Sequence, residues 1–278
     1  MSIGLSVNRY QGGKCFEHSG SLLRRARGEF AMENVRYEPM LVTYIDILGF
    51  EGLVKTKTAG EISRILRLFN EATAPPKFKH DIPDMPIQEH VSFSDLNMTC
   101  TPLHKRGNRG IVFQQFLRLV HAQTTLLIDD GVLIHGGIAV GLATKSYRKF
   151  FGPAVIQAYR LERKKPGLPR ILVDPSLLLE VQRNPLVWMH DRDDELKACE
   201  SFLAHDANGD AYIDYLRMVA GEIEDYDWVL REHKALIAQR MVRYAKDKDI
   251  RAKYEWLRDY HAKTVRSFNR RIRKQGKS

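Results

Sequence analysis

The 278-residue chain is poor in cysteine, in long apolar runs and in ligand-spaced histidines, and each shortage removes a class of protein. Cys15, Cys100 and Cys199 are odd in number, far apart and without the close pairing of a zinc site. A disulfide framework and a structural zinc module are therefore excluded, and the three read as reduced thiols with packing roles. No apolar stretch approaches the roughly 20 residues that cross a bilayer. Met1 to Arg36 holds arginines but no continuous apolar core, so no secretory leader is expected and the cytoplasm is the expected compartment. His135, His190, His205, His233 and His261 show no metal-ligand spacing and read as structural or exposed. Asp206-Ala207-Asn208-Gly209-Asp210 misses the calcium-loop pattern, because its glycine is not at loop position six and Arg217 stands where the bidentate glutamate belongs. It reads as a turn.

An excess of one charge is also missing from most of the chain. The formal net charge is +10, yet Val229 to Ser278 holds 16 Lys/Arg against 5 Asp/Glu, net +11, which leaves 28 against 29 elsewhere, net −1. The basicity belongs to the C-terminal segment and ends in Arg270-Arg271-Ile272-Arg273-Lys274-Gln275-Gly276-Lys277. A short basic tail of this kind is usually solvated, and phosphate contacts alone carry little sequence information, so nucleic acid is not expected as a partner.

What is present is a globular core. The hydrophobic fraction is 44%, and the first 36 residues, rich in Gly, Ser and Arg, read as a flexible extension. Leu41 to Ile47 is an almost continuous apolar run, suited to a strand buried on both faces. Ile62, Ile65, Leu66 and Phe69 fall on one helical face, ended by Ala74-Pro75-Pro76. A strand through Val91 and Phe93 follows, with Asp95 at its turn into a second hairpin strand. Phe113, Phe116, Leu117, Val120 and Leu127 mark a helix stopped at Gly131, and Val132 to Gly141 is extended, its paired glycines pointing to a bulge or a close backbone approach. Proline at the first turn opens a helix at Gly152-Pro153, and Arg170 to Asp174 is a strand. The order β-α-β-β-α-β-α-β predicts an α/β (α+β) fold, a mixed sheet with flanking helices. A basic helical segment from Asp225 onward follows, its Tyr254, Trp256 and Tyr260 read as docking residues rather than base-stacking ones.

Two aspartates stand at strand ends: Asp46 within Thr43-Tyr44-Ile45-Asp46-Ile47-Leu48-Gly49-Phe50, and Asp95 closing Val91-Ser92-Phe93-Ser94-Asp95. Strand-end carboxylates can converge on a hard cation such as Mg²⁺ or Mn²⁺, which also binds phosphate oxygens. Arg160, in the helical run Ala158-Tyr159-Arg160-Leu161-Glu162, is the residue type whose fork neutralises charge on a reacting phosphate. Taken singly these residues have plainer readings. A strand aspartate is more often a hydrogen-bonded turn or edge residue, and Arg160 can be a helix cation paired with Glu162 or Glu224.

In order along the chain, Tyr44 to Phe50, Ser92 to Asp95, Gly136-Gly137-Ile138-Ala139-Val140-Gly141, Gly152-Pro153-Ala154 with Ala158 to Glu162, and Pro169 to Asp174 resemble the class III nucleotidyl cyclase catalytic domain. Within that group they resemble the Pycsar pyrimidine cyclases of bacterial antiphage defence. The resemblance covers about Tyr37 to Asp174; the expected organisation is an extension over 1–36, a catalytic domain over 37–224 and a helical segment over 225–278. It implies that Asp46 and Asp95, with the Ile47 carbonyl, bind two Mn²⁺ or Mg²⁺ ions, and that backbone amides of Leu48, Gly49 and Phe50 cradle phosphate oxygens. It further implies that Arg160 acts across a homodimer interface, and that Glu89 and Lys149 fall near the base-selecting positions, with Phe50 able to pack on a base. The chain departs from the pattern at Ile156, where many members carry a ribose-orienting asparagine, and at Leu96, where a small or polar residue is common. The implied activity is conversion of UTP, in preference to CTP, to the 3′,5′-cyclic nucleotide and pyrophosphate. Three other functions remain open: an adenylate or guanylate cyclase, a catalytically silent cyclase-like dimer, and a nucleic-acid binder using the basic tail.

Overall fold

The computed structural model describes residues 35–75, 88–103, 108–146, 149–164, 167–183, 189–219 and 226–275. The chain divides into Met1–Arg36 and Tyr37–Ser278. The expected flexible extension, Cys15, Glu224 and the last residues of the basic tail lie outside the described residues, apart from 35 and 36.

The strands β1 (Glu38–Ile47), β2 (Glu89–Phe93), β3 (Leu96–Pro102), β4 (Ile134–Ser146), β6 (Ile171–Val173), β7 (Leu203–His205) and β8 (Ala211–Ile213) form one sheet in the order β2-β3-β1-β4-β6-β8-β7, with the short β5 (Lys149–Phe151) paired to β4. Only β4 and β6 are parallel. The helices are α1 (Phe50–Thr56), α2 (Ala59–Thr73), α3 (Ile111–Asp130), α4 (Pro153–Arg163), α5 (Ser176–Arg183), α6 (Arg192–Ser201), α7 (Tyr215–Val219), α8 (Tyr226–Arg243) and α9 (Lys248–Gln275). This is the expected mixed sheet with flanking helices. The strands β7 and β8 and the helices α5 to α7 extend it beyond the pattern read from the sequence.

β1 is central because its residues are apolar on both faces: Met40, Leu41, Val42, Ile45 and Ile47 are all buried. α2 starts at a capping box, in which the Thr58 side chain accepts from the Glu61 amide while Glu61 reaches back to the Thr58 amide. It buries Ile65 and Phe69 and stops ahead of Pro75. The paired glycines of β4 mark a close approach, and the β1–β4 register runs through them without a bulge. A Cβ on Gly136 would lie 2.2 Å from the Tyr44 carbonyl oxygen, and one on Gly137 would lie 2.3 Å from the Ala158 carbonyl oxygen of α4. No side chain fits, so α4 rests directly on the sheet.

At the far edge, Asp206 builds the turn between β7 and β8, its carboxylate accepting from the Asn208 and Asp210 amides. The buried Arg170 donates to it at 2.7 Å and lies over the rings of Tyr212 and Trp256. The C-terminal aromatics dock on the core: Trp256 and Tyr260 pack on Tyr212, and the Tyr260 hydroxyl donates to Asp214 at 2.8 Å. Tyr215 and His233 meet at 2.7 Å, and burial, followed by His261, pushes His233 down to about 3, so it is neutral in the interior. Cys100 and Cys199 are buried free thiols, and burial pushes Cys100 up to about 12 and Cys199 higher still. Neither is a nucleophile at neutral pH.

The glycine contact gives a direct test. Gly137→Ala overpacks the α4 seat and should destabilise the protein by about 1–3 kcal/mol in urea unfolding. Gly52→Ala, in α1 where a Cβ would meet nothing within 4 Å, should leave the stability unchanged or raise it. Equal effects at the two positions would reject the close approach as the constraint.

Candidate functional site

Strand pairing decides which side chains share the site. β1 and β4 are antiparallel with Asp46 opposite His135 and Tyr44 opposite Gly137. Residues two apart on a strand point the same way, so Tyr44 and Asp46 both face α4, and the Tyr44 ring meets Tyr159 of α4 edge-on at 5.6 Å. On its other side β1 pairs with β3, whose first residue Leu96 lies opposite Asp46. Asp95, in the two-residue Ser94-Asp95 turn of the β2–β3 hairpin, is thereby brought beside the end of β1. The turn depends on Ser94 at φ 54, a left-handed conformation that costs a non-glycine residue about 1–2 kcal/mol. The Ile47 N–H lies 3.1 Å from the Asp95 carbonyl oxygen and 3.0 Å from Asp46 Oδ1, which ties the two aspartates together.

The electrostatics follow from that convergence. Burial, and then the charge of Asp46, raise the Asp95 carboxyl above the ordinary carboxylate range. The site also holds two residues that motif reasoning set aside. His135 Nε2 is 3.6 Å from Asp46 Oδ2, and its Nδ1 is 3.5 Å from Glu162 Oε1. Both His135 and Glu162 are buried, at 7% and 6% exposure. Burial raises the Glu162 carboxyl, a rise that His135 and Arg163 only partly offset and to which Asp46 adds a smaller part. Burial, and then the charges of Glu162 and Asp46, raise the Tyr44 hydroxyl. Asp46, His135 and Glu162 offer donor atoms within 4.8 Å of one another. His135 carried no ligand spacing in the sequence because its partners are set by register. Glu162, weighed above as a partner for Arg160, is instead turned inward toward His135.

The donor chemistry fits a hard divalent cation. Asp46 and Asp95 are two half-buried carboxylates, the second destabilised as an anion by the first, and a cation between them relieves both burdens. Of the expected phosphate cradle, the Leu48 N–H is donated to the Leu133 carbonyl at 2.8 Å and is already engaged. Gly49 turns at φ 75 with open space around its missing Cβ, and the half-buried Phe50 packs on the core as α1 begins.

Arg160 is exposed on α4, and among the described residues no acid lies within ion-pair range of it. Ile156, four residues earlier on the same face, is 51% exposed, Tyr159 is 46% exposed and Phe93, just before the Ser94-Asp95 turn, is 77% exposed. Of the two residues expected near a base, Glu89 opens β2 and Lys149 opens β5. Glu89 is ion-paired to Lys145 near the end of β4, and the two line a cavity with Glu38 and Thr144, whereas Lys149 is exposed on β5. Lys145 stands near the end of β4, and Lys149 follows on β5, opposite Ser146.

No family model matches the chain, and no curated protein does. Among solved structures it is similar to a bacterial light-regulated adenylyl cyclase, with TM-score 0.37 and 13% identity over 71% of this chain and 61% of that one. It is also similar to a class III adenylyl cyclase-like ATP-binding protein from Pseudomonas aeruginosa, with TM-score 0.36 and 14% identity over 60% of this chain and 41% of that one. In both cases the match spans less than two thirds of the other protein. Among the described residues no helix is long and apolar enough to cross a membrane.

Replacing Asp95 separates the metal site from a purely structural carboxylate. Asp95→Asn removes one of two repelling charges, so in EDTA its melting temperature should equal or exceed that of wild type. Mn²⁺ should then stabilise the wild type, by about 2.7 kcal/mol at a hundred times its Kd, and leave Asp95→Asn unmoved. Equal Mn²⁺ shifts in both proteins would exclude Asp95 as a ligand.

Proposed function

We propose that the chain is a metal-dependent nucleotide cyclase that converts UTP, and less readily CTP, to the 3′,5′-cyclic nucleotide and pyrophosphate, in the service of antiphage signalling. The observation that carries the cyclase reading is the convergence of Asp46 and Asp95 at adjoining strand ends, with Asp95 held above the carboxylate range until something cationic compensates it. The pyrimidine preference and the defence role rest on the sequence resemblance.

Asp46 and Asp95, with the Ile47 carbonyl as a further oxygen, are the residues that would hold Mg²⁺ or Mn²⁺. Bound there, a divalent ion supplies Lewis acidity toward the ribose 3′-hydroxyl and the phosphates. The reaction joins the 3′-oxygen to the α-phosphorus, breaks the bond from that phosphorus to the bridging oxygen, and releases pyrophosphate. The Ile47 amide orients the Asp46 carboxylate through Oδ1, and His135 stands 3.6 Å from Oδ2 and 3.5 Å from Glu162. Ile156 offers no hydrogen bond to a ribose, so the sugar must be oriented by other groups.

Arg160 supports a composite site. An exposed arginine without an acid partner, flanked by exposed Ile156 and Tyr159, suits a face that covers a second copy of the chain and neutralises phosphate charge there. The expected assembly is a two-fold dimer with each site built from both subunits.

Incubating the purified protein with each of the four NTPs and Mn²⁺ decides the substrate. A cyclic product from UTP, more than from CTP, is expected. Product from ATP or GTP alone would sink the pyrimidine assignment and keep the cyclase, while no product from any nucleotide would sink the cyclase itself.

Complementation tests the composite site. Asp46→Asn and Arg160→Ala should each be inactive, and an equal mixture that exchanges subunits should recover about one quarter of wild-type activity, since half the dimers are mixed and each carries one intact site of two. Verified exchange without recovery would place Arg160 with its own subunit's metals or outside catalysis.

A further inference from the structure

A cavity of ≈ 360 Å³ lies where the Leu48–Gly49 loop and α1 meet the Gly131–Leu133 entry to β4 and the C-terminal helices α8 and α9. One wall is the loop that follows Asp46 by two and three residues, fastened to the neighbouring strand by the Leu48 amide to Leu133 carbonyl bond. The opposite wall carries Arg240 and Arg243 from the last turn of α8 and Lys253 from α9. Glu51 is the one acid among the lining residues, and it is already paired with Lys55. Among the described residues no acid lies within ion-pair range of Arg240, Arg243 or Lys253.

The two arginines are held rather than loose. Arg243 lies over the Tyr244 ring at 5.5 Å, and Tyr244 stacks on Tyr254 at 6.1 Å with the planes 4° apart. The Arg240 Nε is buried with no hydrogen-bond partner. Tyr254 senses both guanidinium charges, which oppose the rise that burial imposes on its hydroxyl. Three positive groups lining one cavity, one with a donor withdrawn from water and unmet, describe a site completed by an anion rather than by protein.

The geometry also says what kind of anion. Guanidinium forks match phosphate oxygens two at a time, and three cations in one concavity call for more charge than a single carboxylate brings. A cavity at the small end of the range for ligand sites, roughly 300–1,000 Å³, admits a short polyphosphate and shuts out a duplex backbone. We infer that the C-terminal helices build a polyphosphate site from Arg240, Arg243 and Lys253, which takes the triphosphate end of the nucleotide and holds the pyrophosphate product. The assignment rests on the proposed cyclase reading for its link to turnover, and on the cavity alone for its ligand chemistry. It also gives a place in the fold to part of the +11 charge of the C-terminal segment.

Inorganic pyrophosphate, titrated calorimetrically into the full-length protein in EDTA, tests the site without requiring turnover. The wild type should bind it. Arg240→Ala/Arg243→Ala should weaken binding at least about tenfold, the scale of a lost charge-assisted hydrogen bond. Arg240→Lys/Arg243→Lys should fall between, keeping charge without the fork, and Lys197→Gln, which removes an exposed cation that does not line the cavity, should bind as the wild type does. If the double alanine variant fails to fold, Lys253→Gln is read in its place, with the same direction expected. Where a nucleotide is turned over, the arginine variants should raise KM more than they lower kcat. Pyrophosphate binding lost in the variants of a protein that cyclises nothing would uphold the site and discard the cyclase. Unchanged pyrophosphate affinity in the variants, or none in the wild type, overturns the site whatever the cyclase assay gives. Tighter binding of a single-stranded oligonucleotide, lost on the same substitutions, would overturn it in favour of a nucleic-acid surface.

Discussion

The antiparallel pairing of β1 with β4, continuous from Glu38 opposite Ala143 to Ile47 opposite Ile134, is the constraint on which the candidate site depends. It sets Asp46 against His135 and Tyr44 against Gly137, and a slip of one residue would turn every one of these side chains to the other face. The pairing tolerates little else at its centre. Gly136 leaves no room for a side chain beside the Tyr44 carbonyl, and Gly137 leaves none beneath Ala158. Because α4 can therefore sit on the sheet itself, Glu162 on its last turn reaches His135 inside while Arg160, two residues earlier, faces out. One helix thus serves a buried network and an exposed surface.

That network concentrates unfavourable electrostatics in one place. Asp46 and Glu162 flank a single imidazole, Asp95 stands beside Asp46, and two of the three carboxyls, those of Asp95 and Glu162, are raised first of all by burial. The far edge of the same sheet handles a buried acid differently. There burial would raise Asp206, but hydrogen bonds from Arg170 and from the Asp210 and Asn208 amides bring it down to about 2. The contrast separates an ion pair that closes a turn from a carboxylate cluster left short of positive charge.

The C-terminal helices extend the same logic. Trp256, Tyr260 and His233 make them part of the core through Tyr212, Tyr215 and Asp214. Docking fixes where their charges fall, and it brings Arg240, Arg243 and Lys253 to the loop that follows Asp46. A segment that looks like a generic basic appendage in composition therefore has a defined address next to the proposed chemistry. Asp46 precedes that loop and the basic wall faces it, so groups of opposite charge adjoin one short segment of chain.

Much of this was legible along the chain. Apolar runs and helical periodicity mark β1, the β2–β3 hairpin, α2, α3 and α4, because burial in a sheet or against one face of a helix writes a period into local sequence. The strand-end positions of Asp46 and Asp95, the close approach at Gly136-Gly137, the Asp206 turn and the docking of the C-terminal aromatics were read in the same way. Tertiary structure alone decided the rest. The short strands β7 and β8 are too brief to carry a period, the Glu89–Lys145 pair joins β2 to β4 across the sheet, and the His135–Glu162 contact joins a strand to a helix through register and packing. The grouping of three C-terminal cations beside the Gly49 loop is likewise a product of docking. Local sequence specifies which elements form; which side chains meet is settled only when those elements bury their surfaces against one another.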